Sequence, residues 1–223
     1  MKKIVILDYG LGNIRSLYNS IKIVNHDVTY FSETKKKHCD ILFIPGVGSF
    51  AKASNIFKEK GYFEIIKKAK DEGVIIVGIC LGMHILFSEG FEDGHNKGLD
   101  FINGKVEKIK NKILKLPNIG WKEIKIEKNI EKKFFDKFNN NKFYFVHSYM
   151  AIPKDSKNII GSFKYENIKI PSIVSHKNII GIQFHPEKSG EIGIELIKEV
   201  IKNYKNEKKL FFIWYARKNK VLH

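Results

Sequence analysis

The stretch VIIVGICLGMH (74–84) decides how this chain folds. VIIVGI is a continuous apolar run and reads as a strand buried on both faces, which is the signature of a parallel sheet. It is followed at once by CLGMH, which reads as the start of a short helix reaching to about Phe87. A strand that turns this abruptly into a helix brings the residues two before and two after the apex close together. Glycine at 78 and 82 relieves that clash, as in the G-x-S-x-G nucleophile elbow. Cys80 is the apex. There it stands above the sheet edge at a helix N-terminus, where unpaired amides and the helix dipole favour a thiolate. The amide of Leu81 is then well placed to donate to an oxyanion. The bland alternative is a buried structural cysteine with glycine neighbours.

Working outward, the same alternation recurs. KIVILDY (3–9), DVTYF (27–31) and DILFIPG (40–46) are strands, with helices over about 14–24 and 62–72. Strands alternating with amphipathic helices predict an open, mostly parallel α/β sheet with helices on both faces. From Gly90 the pattern changes. GFEDGHNKGLD (90–100) is a polar loop. GKVEKIK, KILKL and GWKEIKI alternate as short antiparallel strands at a sheet edge or in an added layer. FFDKF is a short helix or turn, and KFYFVHSYMAI (142–152) is a strand with a polar insert. NIIGSFKY and PSIVSHKNIIGIQF continue the strands, and EIGIELIKEVIKNYK is an amphipathic helix. With no internal repeat and no long linker, one mixed α/β domain is expected. In the tail KKLFFIWYARKNKVLH, FFIWY carries five large apolar residues that need a partner: the tail is expected to pack on the domain, to touch another chain, or to be a poorly ordered extension.

A thiol nucleophile needs a base. GIQFHPEKS (181–189) supplies His185 at the C-terminal end of a strand, the rim where open parallel sheets carry their sites. Glu187, two residues on, points the same way in an extended segment and can orient the imidazole. Together they give the Cys–His–carboxylate logic of acyl transfer. His84 competes as base, but it has no nearby carboxylate in sequence and the apex side chain points away from the helix body. It fits better as a pocket residue. PGVGSF (45–50) ends the third strand. Its glycines let the backbone approach closely and let a peptide unit rotate, so an amide near Val47 or Gly48 is a second oxyanion donor. YGLGN (9–13) lacks the third glycine of a dinucleotide loop, where Arg15 stands, and no acidic residue ends the second strand as such a loop requires. No cofactor is expected. The eight histidines show no ligand spacing with each other or with cysteine, so no metal is expected either.

The formal net charge of the 223 residues is +16, which invites a nucleic-acid reading. Only Arg15 and Arg217 are arginine, however, and bidentate reading of phosphates and bases favours arginine. A solvated lysine-rich surface is the expectation, with a non-catalytic anion or nucleic-acid binding module as the alternative class. Cys39 and Cys80 make no disulfide framework, so a reduced, cytoplasmic setting is expected. The opening apolar run stops at Asp8 and is expected to be neither a signal peptide nor a membrane span.

DYGLGNIRS (8–16), PGVGSF (45–50), GICLGMH (78–84), NIGW (118–121), FVHSY (145–149) and GIQFHPEKSG (181–190) together resemble the class I (triad) glutamine amidotransferases. The likeness is greatest to the glutaminase subunits of imidazole glycerol phosphate synthases. It implies the flavodoxin-like amidotransferase fold over residues 1–207, with 208–223 as an extension it does not explain. It implies hydrolysis of glutamine to glutamate and ammonia. The ammonia would be channelled to a (β/α)8 barrel synthase subunit that makes imidazole glycerol phosphate and AICAR in histidine biosynthesis. Carried onto this chain, Cys80 is the nucleophile, His185 the base and Glu187 its orienter. The amides of Val47 and Leu81 form the oxyanion hole, and the Gly46–Val47 peptide rotates when the partner is active. Gly48, His84, His147, Ser148 and Tyr149 line the glutamine pocket; Asn13, Trp121 and Lys188 lie near the barrel. This chain departs from the family at His84, where glutamine is usual, and at Asn118, where histidine is usual. Both departures admit a paralogue that serves a barrel synthase making an amidino sugar.

Overall fold

The computed structural model describes residues 1–34, 38–110, 115–127 and 130–203. Its centre is an eight-stranded sheet. The first half of the chain supplies β1 (Ile4–Ile6), β2 (Val28–Tyr30), β3 (Ile41–Ile44) and β4 (Ile75–Ile79), all parallel. β14 (Ile179–Ile182) joins β4 in parallel from the far end of the sequence. β13 (Ile168–His176), β12 (Ile159–Tyr165) and β9 (Lys125–Ile126) extend the sheet antiparallel. Across the sheet the order is β2-β1-β3-β4-β14-β13-β12-β9.

Alternation along the parallel strands builds the two cores. Ile4, Ile6, Ile41, Phe43, Ile75 and Val77 face one layer. There they meet α1 (Ile14–Val24) and α5 (Gly190–Asn203) through Leu17, Ile21, Leu196 and Val200. Val5, Leu7, Leu42, Ile44 and Ile76 face the other, against Phe57 of α2 (Phe50–Glu59) and Ile66 of α3 (Tyr62–Asp71). Both faces are covered, as a parallel sheet requires, so the strands read as unbroken apolar runs. From β1 the chain steps outward to β2 and then back across to β3. The direction of winding therefore reverses between β1 and β3, and open α/β sheets form their clefts at such a point.

The expected open, mostly parallel α/β fold with a smaller antiparallel portion is the one observed. α4 covers only Leu81–His84, and the helix expected to run to Phe87 gives way to strand β5 (Phe87–Gly90). A second sheet needs that strand: β5 pairs with β6 (Asn96–Lys97), inside the expected polar loop, and with β7 (Ile102–Lys108). α2 was not anticipated. Its apolar residues Phe50, Ala53 and Phe57 are diluted by Lys, Ser and Asn, and the turn signal PGVG masks its start. Most of KILKL falls on residues outside those described. GWKEIKI divides between β8 (Asn118–Glu123), in a two-stranded sheet, and β9 in the main one. KFYFVHSYMAI also divides. β10 (Lys142–His147) pairs with β8, while β11 (Tyr149–Pro153) pairs with β7, so the chain changes sheets at Ser148. The polar insert marks that junction. The 208–223 extension lies outside the described residues.

Candidate active site

The turn after β4 has the strain that the sequence predicts. Cys80 holds φ 54° and ψ −110°, a conformation that costs a non-glycine residue on the order of 1–3 kcal/mol and is kept where the surroundings enforce it. Those surroundings are visible atom by atom. A Cβ on Gly78 would lie 2.2 Å from the Gly82 carbonyl oxygen, and one on Gly82 would lie 1.7 Å from the Ile44 carbonyl oxygen. Both glycines are therefore required for α4 to lie across the ends of β4 and β3. The Cys80 amide donates to the Ile182 carbonyl at 2.8 Å, which ties the elbow to β14. Sγ lies 3.8 Å from the Val146 carbonyl oxygen.

β14 delivers His185 to the same place. His185 follows that strand and shares the cavity wall with Cys80, while its Nδ1 lies 2.8 Å from Glu187 Oε1. Both side chains of that pair are almost wholly buried. The contact is made differently from the expected extended i, i+2 arrangement. Pro186–Lys188 is a 3-10 turn, and it folds the carboxylate back onto Nδ1. Ser189 fixes the turn, since its hydroxyl donates to the His185 carbonyl and accepts from the Tyr144 amide. Burial alone would lower the imidazole pKa. The interactions with Cys80 and Glu187 outweigh burial and push it up to about 10. His185 is thus held as a group that keeps a proton at neutral pH.

A cavity of about 180 Å³ opens in front of this pair. Val47, Gly48, Leu81, His84 and Lys188 are on its wall, as are His147, Ser148 and Tyr149 from the junction between β10 and β11. Of the residues singled out from sequence, Asn13 and Trp121 are not on that wall, and Glu187 sits behind His185. Asn13 is exposed at the start of α1, and Trp121 is 52% exposed on β8, edge-on to Tyr144.

Two further histidines on the wall are held neutral. Burial lowers the pKa of His84 to about 4 despite a 2.7 Å hydrogen bond between its Nε2 and Gln183 Oε1. Burial does the same to His147, also to about 4. His147 Nδ1 donates to the Tyr149 carbonyl at 2.8 Å, which leaves Nε2 to accept from the Asn118 side-chain amide at 3.0 Å. His84 and Asn118 thus both engage buried partners at the pocket.

The sequence reading missed Glu92 and Gln183. Glu92 lines the cavity, and its Oε2 accepts from the Phe50 amide in the first turn of α2 at 3.0 Å. It came from a loop with no periodicity, and only its acid among glycines could have marked it. Gln183 sits two residues before His185, and its glutamine-histidine contact spans 99 positions, which no local pattern reveals. Among the described residues no group of His, Cys, Asp and Glu could hold a metal ion, and no helix is long and apolar enough to cross a membrane.

The sequence profile described as "Glutamine amidotransferase class-I" matches residues 5–203. An imidazole glycerol phosphate synthase subunit HisH 2 from Methanococcus maripaludis is 43% identical over 209 residues, covering 89% of this chain and 98% of that relative. An imidazole glycerol phosphate synthase subunit HisH from Lactococcus lactis is 39% identical, covering 89% and 97%. Among solved structures, PurLQS from Thermotoga maritima superposes with a TM-score of 0.68 at 18% identity, over 90% of this chain and 98% of that one. A glutamine amidotransferase from Thermotoga maritima gives 0.57 at 16%, over 84% and 77%. These two likenesses bear on the fold.

Proposed function

The chain belongs to the class-I glutamine amidotransferases, and from that premise we propose that it is the glutaminase subunit of an imidazole glycerol phosphate synthase, working through Cys80, His185 and Glu187. The observation that carries the reading is the strained Cys80 elbow joined to the buried His185–Glu187 pair at the cavity.

In this reading His185 holds the proton given up by the thiol as Sγ bonds to the side-chain amide carbon of glutamine. The carbonyl electrons move onto oxygen, and the amides of Val47 and Leu81 receive the oxyanion. The C–N bond breaks as His185 returns its proton to the leaving nitrogen, and ammonia departs. Water, deprotonated by the same imidazole, cleaves the thioester and releases glutamate. Glu187 keeps Nδ1 engaged so that the other ring nitrogen faces sulfur throughout. Gly48, His84, His147, Ser148 and Tyr149 form the glutamine pocket, and the Glu92 carboxylate suits the substrate's α-ammonium. The reaction needs no cofactor. Ammonia passes to a cytoplasmic (β/α)8 synthase subunit that makes imidazole glycerol phosphate and AICAR, docked near Asn13, Trp121 and Lys188.

Glutamate release by the heterodimer tests this. Cys80→Ala should abolish it while leaving the fold and the partner complex intact; wild-type turnover in that variant would refute the assignment. A second reading rests on His84 and Asn118. In that reading the chain serves a barrel that makes an amidino sugar, and the two are separated by which barrel synthase stimulates glutamate release.

A further inference from the structure

Tyr9 follows β1 and is 1% exposed, yet its hydroxyl has no hydrogen-bond partner among the described residues. A buried polar group left unpaired is unfavourable and calls for a reason. Its position supplies one. The ring is held edge-on against Phe57 of α2, with centroids 5.1 Å apart. A Cβ on Gly46 would fall 2.5 Å from the phenol oxygen, 2.9 Å from Leu81 Cβ and 3.1 Å from the Gly82 amide. The hydroxyl therefore sits in the wedge between the loop that carries Val47 and the amide end of α4. The outer side of that loop is open. Val47 is 43% exposed, and Gly48 holds φ +111° with open space where a side chain would go. Burial and the neighbouring Cys80 raise the phenol's pKa, so it keeps its proton and remains a donor.

We infer that Tyr9 is a positioning residue. Its hydroxyl donates to the Gly46 carbonyl once the Gly46–Val47 peptide has turned to aim the Val47 N–H at the substrate oxygen, and so holds the oxyanion hole formed. The hydroxyl is unpaired before that turn and paired after it, so the bond acts only when the hole is made. This rests on the glutaminase reading above.

Tyr9→Phe removes only the oxygen. In the full chain with its barrel partner, kcat for glutamine should fall about tenfold, the size of one lost hydrogen bond, with KM within about twofold of wild type. The γ-semialdehyde of glutamate gives a direct reading of the hole. The Cys80 sulfur adds to its aldehyde carbon, the thiol proton passes to His185 and the carbonyl oxygen becomes the oxyanion. Inhibition by it should weaken about tenfold. The melting temperature should stay equal or rise, because an unpaired buried hydroxyl has been removed. Aldehyde inhibition and kcat both within about twofold of wild type would overturn the inference, as would a clear drop in melting temperature, which would mean that the hydroxyl is already bonded. A wild-type complex that releases no glutamate would refute the glutaminase reading itself.

Discussion

Cys80 and His185 depend on neighbours that do opposite things to two sets of histidines. Glu187 and the thiol raise His185, whereas burial depresses His84 and His147 from 6.5 to about 4. For the depressed pair the unfolded chain binds protons that the folded one refuses. Stability is therefore full above about pH 6.5 and falls as pH drops toward 4, by on the order of 1.4 kcal/mol per pH unit for each histidine. His185 has the opposite sign, and its contribution is lost only as pH rises from about 6.5 toward 10. His84→Gln should accordingly flatten the loss of stability between pH 6.5 and 4.5 in thermal melts, and an unchanged slope would refute a buried neutral imidazole there. The same variant should keep or raise kcat while altering apparent glutamine affinity, as expected of a residue that holds substrate. Glu187→Gln should leave KM near wild type and lower kcat by roughly two to four orders of magnitude in the glutaminase assay. The placing of Cys80, His185 and Glu187 near one another was legible because their motifs are local: an elbow, and a histidine with a carboxylate two positions on. Glu92 and Gln183 were not, because each meets its partner only after distant segments have folded.

At the scale of elements, the elbow works because two backbones come closer than any side chain permits. Gly82→Ala would drive a methyl into the Ile44 carbonyl, which belongs to a strand fixed on both sides. Neither partner can yield, so the cost should be about 3 kcal/mol or more and the melting temperature should fall by roughly 6–12 °C. A variant melting like wild type would mean that α4 does not cross β3 at that point. The parallel strands were legible from their unbroken apolar runs. α2 was hidden because its buried face is carried by a few residues among lysines, and because its start is capped from afar by Glu92. The division of 142–152 between two sheets was legible only as a polar insert, since pairing partners are set by topology and leave no mark on the strand's own periodicity.

For the whole molecule, several large apolar side chains are left in solvent and can be tested as a partner surface: Trp121 and Ile119 on β8 and Val47 at the cavity mouth. If they meet the barrel, Trp121→Ala should weaken the heterodimer by about ten- to a hundredfold in a titration calorimetry experiment, and excess partner should restore the stimulated glutaminase rate. Unchanged affinity would put the interface elsewhere. The net charge of +16 gave no such guidance, because lysines spread over the chain do not define a face.

The insertion of β14 beside β4 also has a consequence for biosynthesis. While the ribosome is still making the middle of the chain, β4 has one open edge and Cys80 has neither its base nor the Ile182 carbonyl that anchors its turn. Cys80 emerges about a hundred residues ahead of His185, the base in the proposed mechanism. A nascent or truncated chain that ends before residue 179 should therefore carry an unactivated thiol and release no glutamate. Ammonia production would then begin only after the segment carrying β14 and His185 has been made.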